Sequence, residues 1–384
     1  MPERILTESL IRIRSMTEAT TGADATERMT AADSVDGSDS ADHGSKARSN
    51  VDRWFALYPA LALAALLPVG AVTPLFPVEL GVATFALGTL VIGMAHGAVD
   101  HLVPLRAATE ISLGRSIAVV SLVYAILGGA VVVAFFVAPV AAFVGFIALT
   151  WLHWGQGDVA ALVVAGVEHR PTSAERWLSL IVRGGLPMGV PLLGHPAEYR
   201  LVAEWMVGLF VVDAAAAAVS PVFTPETRLA VGAVMVVSTL LSAGLGYVRV
   251  RGGASRRGWL RDIGEVGVLW AWFLLAAPVF AIGVYFALWH ALRHVGRLVL
   301  VDRYAADAVG AGDVQGALKR FARDAAPLTL AGFTVVAAVG LAVPSGVAAP
   351  GDLLGVSLVA IAAMTLPHVV VVAWLDRRQG VWRP

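Results

Sequence analysis

Long apolar runs constrain the fold of this chain more than any other feature of its sequence. They recur between Trp54 and Trp374, and several reach the roughly 20 residues that a helix needs to cross a bilayer. Hydrophobic residues make up 58% of the chain, which is more than a soluble protein carries. Inside lipid every backbone N–H and C=O must be paired, and a helix pairs them within one segment. The sequence therefore predicts an all-α fold, a polytopic transmembrane helical bundle.

The apolar runs predict about ten membrane spans and one element of another kind. The spans are 54–72, 82–103, 116–137, 141–166, 201–219, 228–248, 263–277, 279–300, 326–343 and 353–375. The stretch 177–194 is also apolar, but it contains Arg183, Pro187 and Pro191. We expect it to be re-entrant or to lie in the interface.

The charges between the spans predict the orientation of the chain. Lys and Arg concentrate on the cytoplasmic side of membrane proteins. If 177–194 does not span, all the basic loops fall on one side. These loops are 104–115, 167–176, 249–262 and 301–325, together with the C-terminal tail. The sequence thus predicts a multi-pass protein of the cell membrane with both termini cytoplasmic.

The first fifty residues differ in composition from the rest. Residues 1–50 are rich in Ser, Thr, Asp, Glu and Gly and contain no long apolar run. Such a segment cannot bury enough surface to offset its chain entropy, so we predict a disordered polar tail followed by one transmembrane domain at 51–384. The formal net charge is zero, and no nucleic-acid partner is predicted.

The chain has no cysteine, which excludes disulfides, thiolate metal ligands and cysteine nucleophiles. A bound metal would therefore be held by histidine or carboxylate. Histidine is rare, and ionisable groups inside predicted spans are costly and tend to mark function. His290 and His294 are four residues apart, which places both imidazoles on one helix face and suits two ligands of one ion. The alternative is a pair of histidines that form hydrogen bonds between helices.

A second polar patch contains His96, Asp100 and His101. The two histidines are five residues apart and diverge by about 140° on a helix of 3.6 residues per turn, so we do not expect both to bind one ion. Asp100 lies four residues after His96 and on the same face. It either orients His96 or a neighbouring ligand through a hydrogen bond, or pairs with Arg106 near the helix end.

Two more histidines lie in predicted spans. His153 is flanked by Trp151 and Trp154, and tryptophan is typical of the membrane interface, whereas the apolar sequence on both sides favours a ligand within the span. His368 follows Pro367, which interrupts helical hydrogen bonding, and the sequence leaves its role open. In the predicted topology all these spans run in the same direction, so the histidines lie at similar depths. Three or four neutral imidazoles favour Fe(II), Cu or Zn over Mg or Ca.

Four motifs stand out from the apolar background. They are HGAVDH at 96–101, WLHWG at 151–155, WHALRH at 289–294 and PH at 367–368. Together they resemble the Brp/Blh family of membrane-embedded β-carotene dioxygenases, which cleave the central double bond of β-carotene to give retinal. The resemblance covers residues 85–375 and leaves the polar tail outside.

This resemblance implies a catalytic transmembrane domain with Fe(2+) held by four histidines. Carried over by motif, the ligands are His96, His153, His290 and His294. Asp100, His101 and His368, with Trp154 and Trp289, are then candidates for supporting the ligands or contacting the substrate. The implied substrates are β-carotene, which is dissolved in the lipid bilayer, and O2. The resemblance also implies that retinal is passed to an opsin-type protein.

Aromatic side chains could line a tunnel for such a polyene, or simply pack between helices. The candidates are Trp151, Trp154, Trp270, Trp272, Tyr285, Phe286 and Trp289. A different class of function would be a transporter or permease whose intramembrane histidines carry protons or a metal ion. Transporter folds often consist of two matching halves, and this sequence has none.

Overall fold

A computed structural model describes residues 43–108, 111–166 and 169–383, and these residues form helices and turns without a strand. The principal helices are α1 (His43–Ala65), α2 (Leu67–Leu75), α3 (78–97), α4 (Leu113–Val137), α5 (Pro139–Val164), α6 (Ser173–Gly194), α7 (Pro196–Gly208), α8 (Pro225–Arg251), α9 (Arg256–Leu275), α10 (Pro278–Val301), α11 (Arg303–Gly310), α12 (Val314–Ala342) and α13 (Pro350–Gln379). Many of them expose large apolar side chains to the exterior, such as Leu122, Leu240 and Leu330. The predicted all-α membrane bundle is confirmed.

The start of the bundle precedes the first apolar run. Most of the predicted disordered tail, residues 1–42, lies outside the described residues. Residues 43–50 are helical and form the beginning of α1. Asp52, one turn later, is paired by both terminal nitrogens of Arg261 at the start of α9. This ion pair fixes a polar part of α1 that hydropathy does not mark.

The predicted count of ten spans is not confirmed. Six of the described helices are long and apolar enough to cross a membrane, and a seventh candidate is the pair α1 and α2, which is bent by 44°. Helix α9 contains Asp262 and Glu265 near its middle, and α5 contains Gln156 and Asp158, which lower their average hydropathy. Polar residues that are buried against other helices thus keep α5 and α9 below the hydropathy that marks a candidate span.

The segment 177–194 differs from its prediction. It belongs to α6, one continuous helix that begins with a capping box between Thr172 and Glu175, and it is one of the six candidate spans. Its polar residue, Arg183, is fully buried and paired with carboxylates from two other helices. A re-entrant or interfacial element is therefore not supported, because the charge of Arg183, which indicated such an element, is neutralised by carboxylates of α5 and α9.

The predicted span 201–219 is not a single helix. Helix α7 ends at Gly208, and a turn separates it from a short helix at Ala215–Val219. Helices α6 and α8 are antiparallel, since Arg228 at the start of α8 donates to the carbonyl of Leu193 at the end of α6. The connection 195–224 consequently leaves and returns at the same end of the bundle.

The basic loops gather at the opposite end, as predicted. Arg249 binds Glu175 at 2.8 Å, which joins the loop after α8 to the start of α6. Arg176 donates to the carbonyl of Val381 in the C-terminal tail. Arg106 pairs with Asp302 at 2.7 Å, which joins the loop after α3 to the loop after α10. We call this the basic end of the bundle.

Glycine contacts hold the histidine-bearing helices close together. A Cβ at Gly88 on α3 would meet the backbone of Gly283 on α10, and a Cβ at Gly283 would meet the backbone of Phe85. A Cβ at Gly155 on α5 would likewise meet the backbone of α6 at Leu180. Small residues allow helix backbones to approach in membranes, where packing rather than hydrophobicity drives association. These crossings set the spacing of the helices that form the site.

Candidate metal centre

Five imidazole rings from four helices meet in the middle of the bundle. Neighbouring ring centroids are 4.8 Å apart for His153 and His290, 5.4 Å for His96 and His290, and 5.1 Å for His294 and His368. All five side chains are buried. The structure thus brings together the four predicted ligands and adds the imidazole of His368. We call these residues the imidazole cluster: His96, His153, His290, His294 and His368.

Helix α10 supplies two rings of the cluster. His290 lies in a π-helical turn, Phe286–Ala291, and His294 follows in the regular helix. Single π turns occur within α-helices frequently at functional sites, because they shift side chains relative to the regular helical register. Both rings face the same cluster, as their spacing of four residues predicts.

A second π turn precedes His96 on α3. This turn, Thr89–Gly93, is followed by the last helical turn, Met94–Gly97. The carbonyl of Gly93 accepts a hydrogen bond from Nδ1 of His96. Since a carbonyl only accepts, Nδ1 carries the proton and the lone pair of Nε2 is free to bind a metal. Gly93 is required here, because a Cβ would collide with the ring of Phe286.

Asp100 orients the fifth imidazole. Its Oδ2 accepts a hydrogen bond of 2.7 Å from Nδ1 of His368 and one of 2.6 Å from the hydroxyl of Tyr124. The helix ends at Gly97, and Asp100 begins a separate 3-10 turn, so Asp100 does not share a helix face with His96. Of the two predicted roles the structure supports a carboxylate that orients a neighbouring imidazole, since Arg106 pairs with Asp302 instead.

Most ring nitrogens of the cluster lack a hydrogen-bond partner among the described residues. Nε2 of His290, Nε2 of His368 and both ring nitrogens of His294 have no hydrogen-bond partner among the described residues, and the same holds for His153. Buried polar atoms are nearly always paired, so such a group of orphaned nitrogens needs an explanation. One ligand atom from each of His96, His153 and His290 lies within 4.8 Å of the others. The donor set therefore fits a metal that prefers imidazole, such as Fe, Cu or Zn.

A buried cluster of charges lies beside the imidazoles, toward the basic end. Arg183 of α6 contacts Asp158 at 2.9 Å, Asp262 at 2.7 Å and Glu265 at 3.0 Å, and Arg293 of α10 contacts Glu265 at 3.0 Å. Arg170 adds a third guanidinium on Asp262. Arg261, which also pairs with Asp52, adds a fourth on Glu265 at 3.1 Å. Four cations thus balance four carboxylates, as a buried cluster requires.

Trp289 belongs to this charge cluster and not to a substrate tunnel. Its indole N–H donates to both oxygens of Asp158 at 3.0 and 3.1 Å, and the guanidinium of Arg293 lies 3.9 Å above its ring centroid. The side chain is fully buried and does not line the cavity beside the imidazoles. Trp289 therefore anchors α10 to α5 next to His290.

An apolar cavity of about 580 Å³ adjoins the imidazole cluster. Such a volume is typical of ligand sites, which occupy about 300–1,000 Å³. His96, His153 and His368 line it, and so do two predicted candidates, His101 and Trp154. His101 is half-buried and lies outside the cluster, in the 3-10 turn that follows the end of the helix at Gly97. Of the other aromatic residues proposed for a tunnel, only Phe286 lines this cavity, whereas Trp151, Trp270, Trp272 and Tyr285 pack elsewhere.

Sequence reasoning missed two groups of residues. Tyr124 is one apolar-looking residue in an apolar span, and nothing in the sequence connects it to Asp100. The charge cluster did leave a signal, because Arg183, Asp262 and Glu265 are ionisable residues within otherwise apolar helices. These residues are recognisable as one cluster only when the packing of α6 against α9 is known.

Comparison with known proteins agrees with this site. Residues 87–376 match the family described as β-carotene 15,15'-dioxygenase. A Halobacterium salinarum protein named probable β-carotene 15,15'-dioxygenase Blh is 40% identical over 330 residues, which cover 85% of this chain and 90% of the relative. A second protein of that organism, probable β-carotene 15,15'-dioxygenase Brp, is 34% identical over 341 residues, which cover 84% and 91%. No solved structure matches the chain. The chain therefore belongs to the β-carotene 15,15'-dioxygenase family, as its four histidine motifs predict.

Proposed function

We propose that this protein cleaves β-carotene oxidatively at its central 15,15' double bond, with O2, to give two molecules of all-trans-retinal. One carbon–carbon double bond and one dioxygen molecule are consumed, and two aldehydes are formed, so the reaction balances without another reductant. The observation that carries the proposal is an imidazole cluster that opens onto an apolar cavity within a membrane bundle.

The cavity suits a long hydrocarbon. A polyene offers no polar group for recognition, so its binding depends on shape and apolar contact. The cavity follows α3 from Phe85 to His96, about 16 Å at 1.5 Å per residue, and continues past the imidazoles to His101. Substrate can therefore extend to both sides of the cluster. That arrangement favours cleavage near the centre of the chain over cleavage near one end.

We assign the metal as Fe(2+), held by His96, His153, His290 and His294. Bound iron supplies the site at which dioxygen is activated for reaction with the double bond. His368 presents the unpaired Nε2 to the same space, and we include it as a fifth nitrogen donor. The protein's own residues hold His96 and His368 in fixed tautomers through Gly93 and Asp100, exclude water with apolar walls and position the polyene.

The imidazoles form one compact group, whereas a proton relay needs polar side chains that follow each other across the membrane. This arrangement favours the enzyme over a permease. The same proposal has three further parts. The substrate comes from the bilayer, the protein lies in the cell membrane, and the basic end faces the cytoplasm. Delivery of retinal to an opsin-type protein stays a prediction, because it concerns a second protein.

The central test is the identity of the product. We expect cells that make β-carotene to lose their orange colour and accumulate retinal when they express this chain, with two retinal molecules formed for each β-carotene lost. Chromatography of the extract separates retinal from the longer apocarotenals that off-centre cleavage would give. Longer apocarotenals as the main product would contradict central cleavage, and unchanged β-carotene would contradict the proposed activity.

Substitution of Asp100 by asparagine should weaken metal binding. The amide cannot offer His368 the full negative charge, and loss of such hydrogen-bonded partners typically lowers metal affinity by about 10–100-fold. We expect faster loss of iron from purified D100N in the presence of a chelator, measured by elemental analysis over time. Tyr124→Phe removes one donor to the same carboxylate and should have a smaller effect. The exposed carboxylate of Asp213 gives the control, since D213N should retain iron like the parent protein; equal retention by D100N would refute this role of Asp100.

A further inference from the structure

The wall of the cavity reaches the exterior of the bundle in one place. Among the described lining residues, every one with an exposed side chain belongs to α4 or α12. Ile117 is 42% exposed, Leu328 41% and Val335 38%. The full set is Ile117 and Ser121 on α4, and Pro327, Leu328, Ala331 and Val335 on α12.

The two helices border an opening and barely touch each other. In the described part of the chain α4 and α12 make at most a few close backbone contacts with each other, although both line the same cavity. The lining residues at the other end of the cavity, including Pro191, Val279 and Leu354, are buried. The gap between α4 and α12 is therefore the open side of the cavity.

The surface of this gap is apolar. Five of its six residues are apolar, none is charged, and Ser121 is the single hydroxyl. Neighbouring outward residues on both helices, such as Leu122 and Leu330, are also strongly exposed and apolar. Such a surface is suited to contact with acyl chains and not with water.

We infer that the gap between α4 and α12 is a lateral portal through which the polyene substrate passes from the bilayer into the cavity, an inference that rests on the proposed function. A hydrocarbon that travels through the gap never meets water and so avoids the cost of apolar hydration. Tyr124 on α4 and Gly332 on α12 line the cavity behind the gap. A Cβ at Gly332 would meet the methyl group of Met94. Tyr124 in turn binds Asp100, the partner of His368, so the portal leads directly to the imidazole cluster.

The absence of cysteine from this chain permits a direct test. The double substitution Ile117→Cys and Leu328→Cys places the only two thiols on opposite sides of the portal. Bis-maleimides of increasing length then tie α4 to α12 in the purified, iron-loaded protein. We expect cross-linking to slow the capture of β-carotene from lipid vesicles, and the steady production of retinal, by about tenfold or more, as expected when access is gated.

The order of addition separates access from catalysis. If β-carotene is bound before the cross-link is made, the protein should still complete about one turnover, and later turnovers should stop. A cross-link that abolishes even the first turnover would show damage to the site and contradict a purely gating role. The portal would be overturned if the cross-linked protein captured β-carotene and formed retinal as fast as the same variant without the cross-link.

A matched control ties two helices away from the cavity. Val248 on α8 and Leu260 on α9 are exposed, lie on adjacent helices and do not line the cavity. The variant with Val248→Cys and Leu260→Cys should capture β-carotene equally well with and without the cross-link.

Capture of β-carotene is measured independently of turnover. Untied protein that captures β-carotene but forms no retinal would therefore refute the proposed function and leave the portal supported, whereas no capture by untied protein would refute the portal for this substrate.

Discussion

Replacement of His290 by alanine is expected to abolish both iron binding and retinal formation. His290 is buried, its Nε2 has no other partner, and its ring lies 4.8 Å from that of His153 and 5.4 Å from that of His96. Loss of a residue that merely supports a ligand costs about 10–100-fold in metal affinity, so loss of a ligand itself should cost more than about 100-fold. Elemental analysis of purified protein gives the iron content, and chromatography gives retinal.

The control for this experiment is a histidine outside the cluster. His195 lies between α6 and α7, and its Nε2 donates to the carbonyl of Leu274. We expect H195A to keep its iron and its activity. Membrane fractions should contain both variants in similar amounts, because H290A leaves the contact of Trp289 with Asp158, which anchors α10 to α5. Iron content in H290A equal to that of the parent protein would remove His290 from the metal site.

The second large effect is expected on stability. Arg183→Met should destabilise the folded bundle by about 3–5 kcal/mol, the usual cost of leaving a buried charge without its partner. The arginine is fully buried and contacts three carboxylates, so its loss leaves the cluster that contains Asp158, Asp262 and Glu265 one cation short. Unfolding of the purified protein by SDS, followed by circular dichroism, gives the free energy of unfolding.

Two further variants test whether the loss of stability comes from the buried charge of Arg183 and not from the packing of its side chain. Arg200→Met removes an ion pair of similar length, to Glu204 at 2.8 Å, but this pair is partly exposed and should contribute only about 0–1 kcal/mol. The double variant with Arg183→Met and Asp262→Asn restores the balance of charge and should recover part of the lost stability. If R183M and R200M unfold at the same SDS concentration, the buried cluster does not stabilise the fold.

Local sequence predicted the bundle but not the path of its middle section. Apolar runs identified the helices because burial in lipid requires paired backbones and apolar side chains. The segment 177–194 was expected not to span because of Arg183 and its prolines, yet the counterions of Arg183 come from α5 and α9. The segment 201–219 was expected to span, although the chain turns at Gly208. Neither difference moves a basic loop, since a span at 177–194 in place of one at 201–219 leaves every basic loop at the same end of the bundle.

The site was predictable where chemistry is carried by rare residues. His96, His153, His290 and His294 come together as their motifs predict, because buried imidazoles have few other uses. For Asp100 the sequence predicts two roles, a hydrogen bond to an imidazole or an ion pair with Arg106. Only the fold distinguishes them, since the partner of Asp100, His368, lies 268 residues away in the chain. Trp289 was misplaced because an aromatic ring suits a tunnel and a helix contact equally well, and its hydrogen bond to Asp158 depends on the packing of α5 against α10.

Helix α10 carries two kinds of residue on two adjacent faces. His290 and His294 face the imidazole cluster, while Trp289 and Arg293 face the charge cluster that joins α5, α6 and α9. Metal binding at the proposed site would therefore depend on the same helix as the cohesion of the bundle, and a ligand that binds only the folded state raises its stability by RT ln(1 + [L]/Kd). Newly made chains in cells that are short of iron should be cleared faster by quality-control proteases. The iron supply would then set the amount of this protein as well as its activity.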